Sequence, residues 1–245
     1  MPMPSVYVTS DVHLGAVPRD TEAAFIRWLE HAGVNAGSVL INGDLFDFWF
    51  EYRSAVPRGH ARVLGALATL VDAGVPVTLM GGNHDWWGGS FLRDEVGVEF
   101  LQEKVIRDLA GHRTLVAHGD GLGRGDLGYR MLKWLLRSPV TVAGFRWLHP
   151  DLGAWLAARV SRTGTRDHAD NAATLARAEY VRGWAIERLA ADPTLDLVLL
   201  GHTHIPGLEE VEPGRFYLNA GDWVYRRTYA VLTRGEAPRL LDWED

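Results

Sequence analysis

VLINGDLFDFWF, residues 39–50, is a strongly apolar stretch that nevertheless carries two aspartates, Asp44 and Asp47. Ionised carboxylates are seldom buried unless they are paired, hydrogen-bonded or bound to metal. The run Val39-Leu40-Ile41 is aliphatic and too short for a helix, so it reads as a buried strand. Gly43 then permits a tight turn, which places the acids just past the strand's end.

The same grammar recurs along the chain. SVYVTS precedes DVH, VPVTLMG precedes GNHD, RTLVA precedes HGD, and LDLVLL precedes GHTH. Helical patterns separate the early runs. DTEAAFIRWLEHAG (20–33) opens with acids and stops at Gly33, and GHARVLGALATLVDAGVP (59–76) stops at Gly74-Val75-Pro76. Strands alternating with helices predict an α/β fold, in which ligands bind beyond the carboxyl ends of the strands. The five polar clusters are therefore expected to converge on one site. The tail, with RFYLNAGDW and TYAVLTR, reads as hairpins that complete a sheet. Residues 124–190 read as a helical insertion: YRMLKWLLR, TVAGFRWL, LGAWLAARV and one long helix from Asp167.

Composition narrows the chemistry. Among 245 residues there is no cysteine, which excludes disulfides and thiolate metal sites; any metal must be held by oxygen and imidazole nitrogen. No G-x-S-x-G motif occurs. The N-terminus shows no signal-peptide pattern and no run approaches the ~18 apolar residues of a membrane span, so a cytoplasmic protein is expected. The net charge is −6, but Arg124 to Arg188 holds ten Arg and one Lys against six acids. Such a positive segment on an acidic chain suits an anionic contact, or simply a solvated helical face.

Five of the ten histidines fall in the clusters: His13, His84, His118, His202 and His204. Singly, each is weak, because a histidine after a strand is more often a hydrogen-bonding residue than a ligand. Jointly, Asp11, His13, Asp44, Asn83, His118, His202 and His204 supply too many ligands for one tetrahedral zinc. They suit two octahedral-like ions that share a bridging carboxylate.

In this order, D-x-H, G-D-x-x-D, G-N-H-D, H-G-D and G-H-T-H resemble the calcineurin-like metallophosphoesterases, from Asp11 to His204. The resemblance implies a four-layer α/β/β/α sandwich forming a single domain over 1–245, with 124–190 as a helical lid. It implies that Asp11, His13 and His204 hold one metal, and that Asn83, His118 and His202 hold a second. Asp44 would bridge the two. His84 would be the general acid or transition-state stabiliser, with Asp85 orienting it, and Asp47 would brace a ligand. Two divalent ions, Mn2+ foremost, would activate a bound hydroxide for attack on phosphorus.

The flanks GDLFDFWFEYR, GNHDWW, HGDGLGRGDLGYR and LNAGDW resemble the branch that cleaves UDP-2,3-diacylglucosamine to UMP and 2,3-diacylglucosamine 1-phosphate in lipid A synthesis. The best-known members of that branch have G-N-R-D; this chain keeps G-N-H-D, as a second group does. The resemblance places Asp126 and Tyr129 on the glucosamine phosphate. Arg162 and Arg166 are read as contacts for the diphosphate or anionic headgroups, and Trp134, Phe145 and Trp147 as contacts for acyl chains. A lipid-nucleotide substrate and peripheral contact with the cytoplasmic face of the inner membrane are expected, and no nucleic acid. A broader phosphodiesterase acting on soluble phosphoesters, and an inactive binding scaffold, are the competing readings.

Overall fold

In the computed structural model, which describes residues 5–122, 127–160 and 172–244, the opening run is strand β2 (Ser38–Asn42). It lies between β1 (Val6–Thr9) and β3 (Val77–Met80) and runs parallel to both. Parallel neighbours need crossovers, and helices α1 (Arg19–Asn35) and α2 (Ala61–Asp72) supply them. In α1, Asp20 and Glu22 sit in the first turn, where the helix dipole favours acids. Its buried Ala24, Phe25, Trp28, Leu29 and Ala32 recur at the spacing of one helical face. Val63, Leu67 and Leu70 do the same in α2. The short α3 (Ser90–Asp94) leads to β4 (Glu99–Leu101), and β10 (Thr228–Leu232) and β11 (Arg239–Asp242) complete a six-stranded sheet. Its order is β11-β10-β1-β2-β3-β4.

A second sheet has the order β5-β6-β7-β9-β8, built from β5 (Val105–Leu109), β6 (His112–Val116), β7 (Leu197–Leu200), β8 (Gly207–Glu212) and β9 (Arg215–Asn219). Its three central strands are parallel. The tail does form hairpins, but they part company. β8–β9 closes the second sheet, whereas β10–β11 closes the first by pairing β10 antiparallel to β1.

Alternate residues of the strands point into different buried clusters, as sheets covered on both faces require. Val39, Ile41, Val77, Leu79 and Val231 pack with Phe25, Trp28 and Leu67 of α1 and α2. Val6, Val8, Leu40, Met80 and Ala230 of the first sheet meet Val116, Leu197, Leu199, Phe216 and Leu218 of the second. On that sheet's other face, Leu115, Val198, Leu200 and Tyr217 pack with Val181, Ala185 and Leu189.

Those last three residues belong to α7 (Ala172–Ala191), which follows α4 (Leu127–Leu136), α5 (Pro139–Phe145) and α6 (Pro150–Val160) between β6 and β7. Ser138 caps α5 by accepting the Thr141 N–H, with Pro139 at the first helical position. Among the described residues, no helix is long and apolar enough to cross a membrane.

The opening stretch continues past β2 into buried Leu45, Phe46 and Trp49. The His60 ring packs on Phe46 at 4.7 Å and on Trp49 at 6.0 Å. Burial lowers its pKa to about 4. The unfolded chain therefore takes up this proton near pH 6.5, before the folded chain does, so the fold loses stability as pH falls from there towards 4. Urea titrations at pH 7 and pH 4.5 should show that His60→Leu escapes part of this loss, up to about 3 kcal/mol.

Candidate metal centre

Because the strands are parallel and in register, their carboxyl ends align and the polar clusters fall along one rim. Asp11 and His13 follow β1, Asp44 follows β2, Asn83 to Asp85 follow β3, His118 follows β6, and His202 and His204 follow β7. Hydrogen bonds stitch the rim together. Asp11 N donates to Gly43 O at 3.0 Å, His13 N to Asp44 O at 3.0 Å, and Gly201 N to His118 O at 2.7 Å. Asn42 Nδ2 donates to Ala117 O at 3.0 Å and so ties one sheet to the other.

The backbone here is held in a conformation that few side-chain-bearing residues adopt. Of the seven non-glycine residues with positive φ among those described, five are Asp11, His13, Asp44, His202 and His204. Such geometry costs about 1–3 kcal/mol per residue and concentrates at functional sites. Two glycines allow the close approach. A Cβ on Gly82 would lie 2.1 Å from Asp44 Oδ1, and one on Gly43, whose φ is +93°, would lie 2.2 Å from His118 Nδ1.

Ligand-type atoms gather in three groups: Asp11, His13 and His204; His13, Asp44 and His84; and Asp44, His118 and His202. Asp44 is common to the last two, and its Oδ2 lies 3.8 Å from His13 Nε2 and 3.1 Å from His118 Nε2. Asn83 Oδ1 joins the third group, 3.3 Å from His118 Nε2. The geometry therefore brings all seven expected ligands to one place.

Hydrogen bonds on the far sides of these groups fix which atom faces inward. His118 Nδ1 donates to Asn42 O at 2.9 Å, which leaves Nε2 for the centre. Asp11 Oδ2 accepts the His202 N–H at 2.9 Å, which leaves Oδ1. Among the described residues, that Oδ1 and His13 Nε2 are buried with no hydrogen-bond partner. Buried polar atoms without partners are costly, and cations are the partners that oxygen and imidazole donors accept. The residues fit divalent metal.

The charges agree. Burial works against an ionised Asp44, yet His118, His84 and His13 together hold its carboxyl well below the usual range. Burial likewise opposes a charged His118, but Asp44, Asp11 and Asp120 lift its pKa to about 10. Burial and the neighbouring His118 push His202 down to about 3. The pocket is built around anionic carboxylates that demand positive charge.

A sequence profile of the calcineurin-like phosphoesterases matches residues 4–206. The chain belongs to that family. As a calcineurin-like phosphoesterase it is a hydrolase of phosphoester or diphosphate bonds, and the family's chemistry uses divalent metals. It is 32% identical to UDP-2,3-diacylglucosamine hydrolase of Porphyromonas gingivalis, over 92% of this chain and 93% of that one. Proteins of the same name from Actinobacillus succinogenes and Aeromonas salmonicida are 28% and 29% identical. They cover 90% and 95% of this chain, and 92% and 91% of their own.

Asp85, expected to orient His84, is directed at the backbone: its Oδ1 accepts the N–H groups of Gly82 and Asp44, and its Oδ2 those of Leu45 and Phe46. Its four bonds brace the turn that carries Asp44. His84 is held by Asp47, whose carbonyl accepts from Nδ1 at 2.7 Å. The Asp47 carboxylate stands between the two rings, 3.5 Å from His13 Nδ1 and 3.6 Å from His84 Nδ1. Phe145, read as an acyl-chain contact, is half-buried against Phe50 at 4.6 Å, while Trp134 and Trp147 are exposed. Asp126, Arg162 and Arg166 lie outside the described residues, and so does the side chain of Tyr129.

Three functional side chains escaped the sequence reading. Asp222, fully buried after β9, meets His204 Nδ1 at 3.1 Å and leaves Nε2 facing Asp11 Oδ1 at 3.6 Å. The signal was present, since LNAGD is one more apolar run ending in Gly-Asp. Glu51 is buried and accepts the N–H groups of Gly89, Phe91 and Leu92, fastening the start of α3 beside GNHDWW. Asp120 receives Lys133 of α4 and Arg137 just after it. Carboxylates that orient metal-binding histidines typically account for about 10- to 100-fold in metal affinity. Asp222→Asn should therefore weaken binding at the Asp11–His13–His204 group by that factor, seen as a right-shifted metal titration with the fold intact.

Proposed function

We propose that this phosphoesterase is a two-metal hydrolase that cleaves the diphosphate of UDP-2,3-diacylglucosamine, releasing UMP and 2,3-diacylglucosamine 1-phosphate. The observation that carries the two-metal reading is Asp44, whose carboxylate stands within 3.1–3.8 Å of histidines from both ligand groups. Asp11, His13 and His204 would hold one ion, and Asn83, His118 and His202 the other, with Asp44 between them and Mn2+ the favoured metal. Bound by these residues, such ions would supply Lewis acidity, making an attacking water more acidic and offsetting the charge of phosphoryl oxygens. The protein's part is positioning and proton control. His84 is the residue suited to donate a proton to the leaving oxygen. Its side chain is 11% exposed where that of His13 is fully buried, and its Nδ1 bond to Asp47 O fixes the ring so that Nε2 is the exchanging atom.

The substrate reading rests on the relatives' names and on the insertion. Met131, Trp134 and Leu135 form an exposed stripe on α4, and Val140 of α5, Trp147 between α5 and α6, and Trp155 of α6 are exposed as well. A stripe of Trp and Leu among arginines suits acyl chains and the surface of a membrane. On this reading, α4–α6 form a lid over the rim, and the protein works from the cytoplasm against the inner membrane.

The test is purified protein with Mn2+, given UDP-2,3-diacylglucosamine or, separately, a soluble phosphodiester. UMP release from the lipid nucleotide, far faster than turnover of the soluble ester, is the expected result. Rapid turnover of the soluble ester with no UMP from the lipid would overturn the substrate assignment.

A further inference from the structure

Helix α4 is fastened to the core by contacts that converge on two loops. Lys133 Nζ lies 2.6 Å from Asp120 Oδ2 and donates to Asp120 O at 3.3 Å. Arg137 Nη2 reaches the same carboxylate oxygen at 3.2 Å and also donates to Gly82 O at 3.2 Å. Its guanidinium lies 4.8 Å over the Trp86 ring, while Trp87 Nε1 donates to Leu136 O at 3.2 Å. Asp120 stands two residues after His118, and Gly82 immediately precedes Asn83. One arginine therefore bridges the loop after β3 to the loop after β6, and these loops carry Asn83 and His118. Lys133 and Arg137 are thus spent on the metal-bearing loops rather than on a ligand.

The Asp120 side chain is 7% exposed, and it is shared by two cations whose side chains are 26% and 14% exposed. Removing either cation takes away one of the bonds that pin this buried carboxylate, so the loop loses part of its anchorage and can shift. A shift of the 118–120 loop moves His118, and loss of the bond to Gly82 O frees the turn before Asn83. The ligands of the other group, Asp11, His13 and His204, sit on loops after β1 and β7.

Resting on the two-metal reading above, we infer that Lys133 and Arg137 are positioning residues for the Asn83–His118–His202 metal, coupling the seating of the insertion to the filling of that one site. The coupling runs both ways, because a ligand that favours one arrangement of a loop is favoured by it in return. Filling this site stabilises α4 on the core, and an ordered α4 tightens this site. The enzyme thereby completes its metal pair when the helical insertion is in place.

Titration of metal-free protein with Mn2+, followed by bound metal per chain and by electron paramagnetic resonance, tests this directly. The resonance spectrum distinguishes an exchange-coupled ion pair from isolated ions. Wild type should take two ions and show the coupled spectrum. Arg137→Gln and Lys133→Gln should keep the first ion at wild-type affinity and bind the second about 10- to 100-fold more weakly. At intermediate Mn2+ they should then show isolated ions. Lys133→Arg should restore the pair, and Arg146→Gln, an exposed arginine elsewhere on the insertion, should behave as wild type. Amide exchange in α4 should slow when the second ion binds and not when the first does. If wild type takes two ions and both glutamine variants match it, the inference fails while the two-metal reading stands. Equal weakening of both ions in the variants, or a fall in melting temperature with metal binding unchanged, would also overturn it. A wild type that takes one ion would overturn the two-metal reading, and this inference with it.

Discussion

On the two-metal reading, Asp44→Asn is expected to abolish binding of the metal pair, and with it hydrolysis. The substitution keeps the shape of the side chain and keeps Oδ1, which accepts the His84 N–H at 2.9 Å. It removes the negative charge that lies between His13 and His118. Residues that merely orient a ligand account for about 10- to 100-fold in metal affinity; a carboxylate shared between two ions should cost more than that at both sites. The readouts are metal per chain after dialysis and hydrolysis at saturating Mn2+. Asp44→Asn that retained two ions and lost only rate would remove Asp44 from the bridging position. The variant should remain folded, because Asp85 still receives the N–H groups of residues 44–46.

The two halves of the puzzle in residues 39–50 were unequally readable. The strand was legible because an aliphatic run between turn residues has few other fates, and the site was legible because five such runs end in ligand-type residues. For Asp44 and Asp47 the resemblance supplied the roles of bridge and brace; which backbone groups the other acids meet was not legible, since that depends on which neighbouring strand comes alongside. Asp85 follows His84 in sequence, but the β2–β3 pairing directs its carboxylate at the backbone of residues 44–46. Asp222 stayed hidden because its partner His204 belongs to another strand's loop, and only the β7–β9 register brings them together. β4 and β5 passed unread because their apolar residues, Phe100, Leu101, Val105, Ile106 and Leu109, are few, largely half-buried or exposed, and lead into no ligand-type cluster. The insertion's helices were visible from their spacing. Their anchorage through Lys133 and Arg137 was not, because a basic residue on an amphipathic helix looks alike whether it faces water or a buried aspartate.

Asp85→Asn separates the role found for Asp85 from the one its place in G-N-H-D suggests. If this carboxylate served to orient His84, the variant would keep its stability and its metals and lose rate alone. The geometry requires more. Burial and the nearby Asp44 push the Asp85 pKa up to about 6, so at neutral pH it is ionised and accepts four backbone N–H groups through its two oxygens. An amide keeps one oxygen and turns an NH2 group towards two of those donors, leaving them unsatisfied in a fully buried position. Each unsatisfied buried donor costs about 1–3 kcal/mol, so the metal-free protein should lose about 2–6 kcal/mol of stability. Because the strained turn at Asp44, φ +53°, is what these bonds hold, metal affinity should fall alongside stability. Chemical denaturation and a Mn2+ titration on the same preparation decide the matter: both must shift together. A variant with wild-type stability and two bound ions but slow turnover would return Asp85 to the catalytic role.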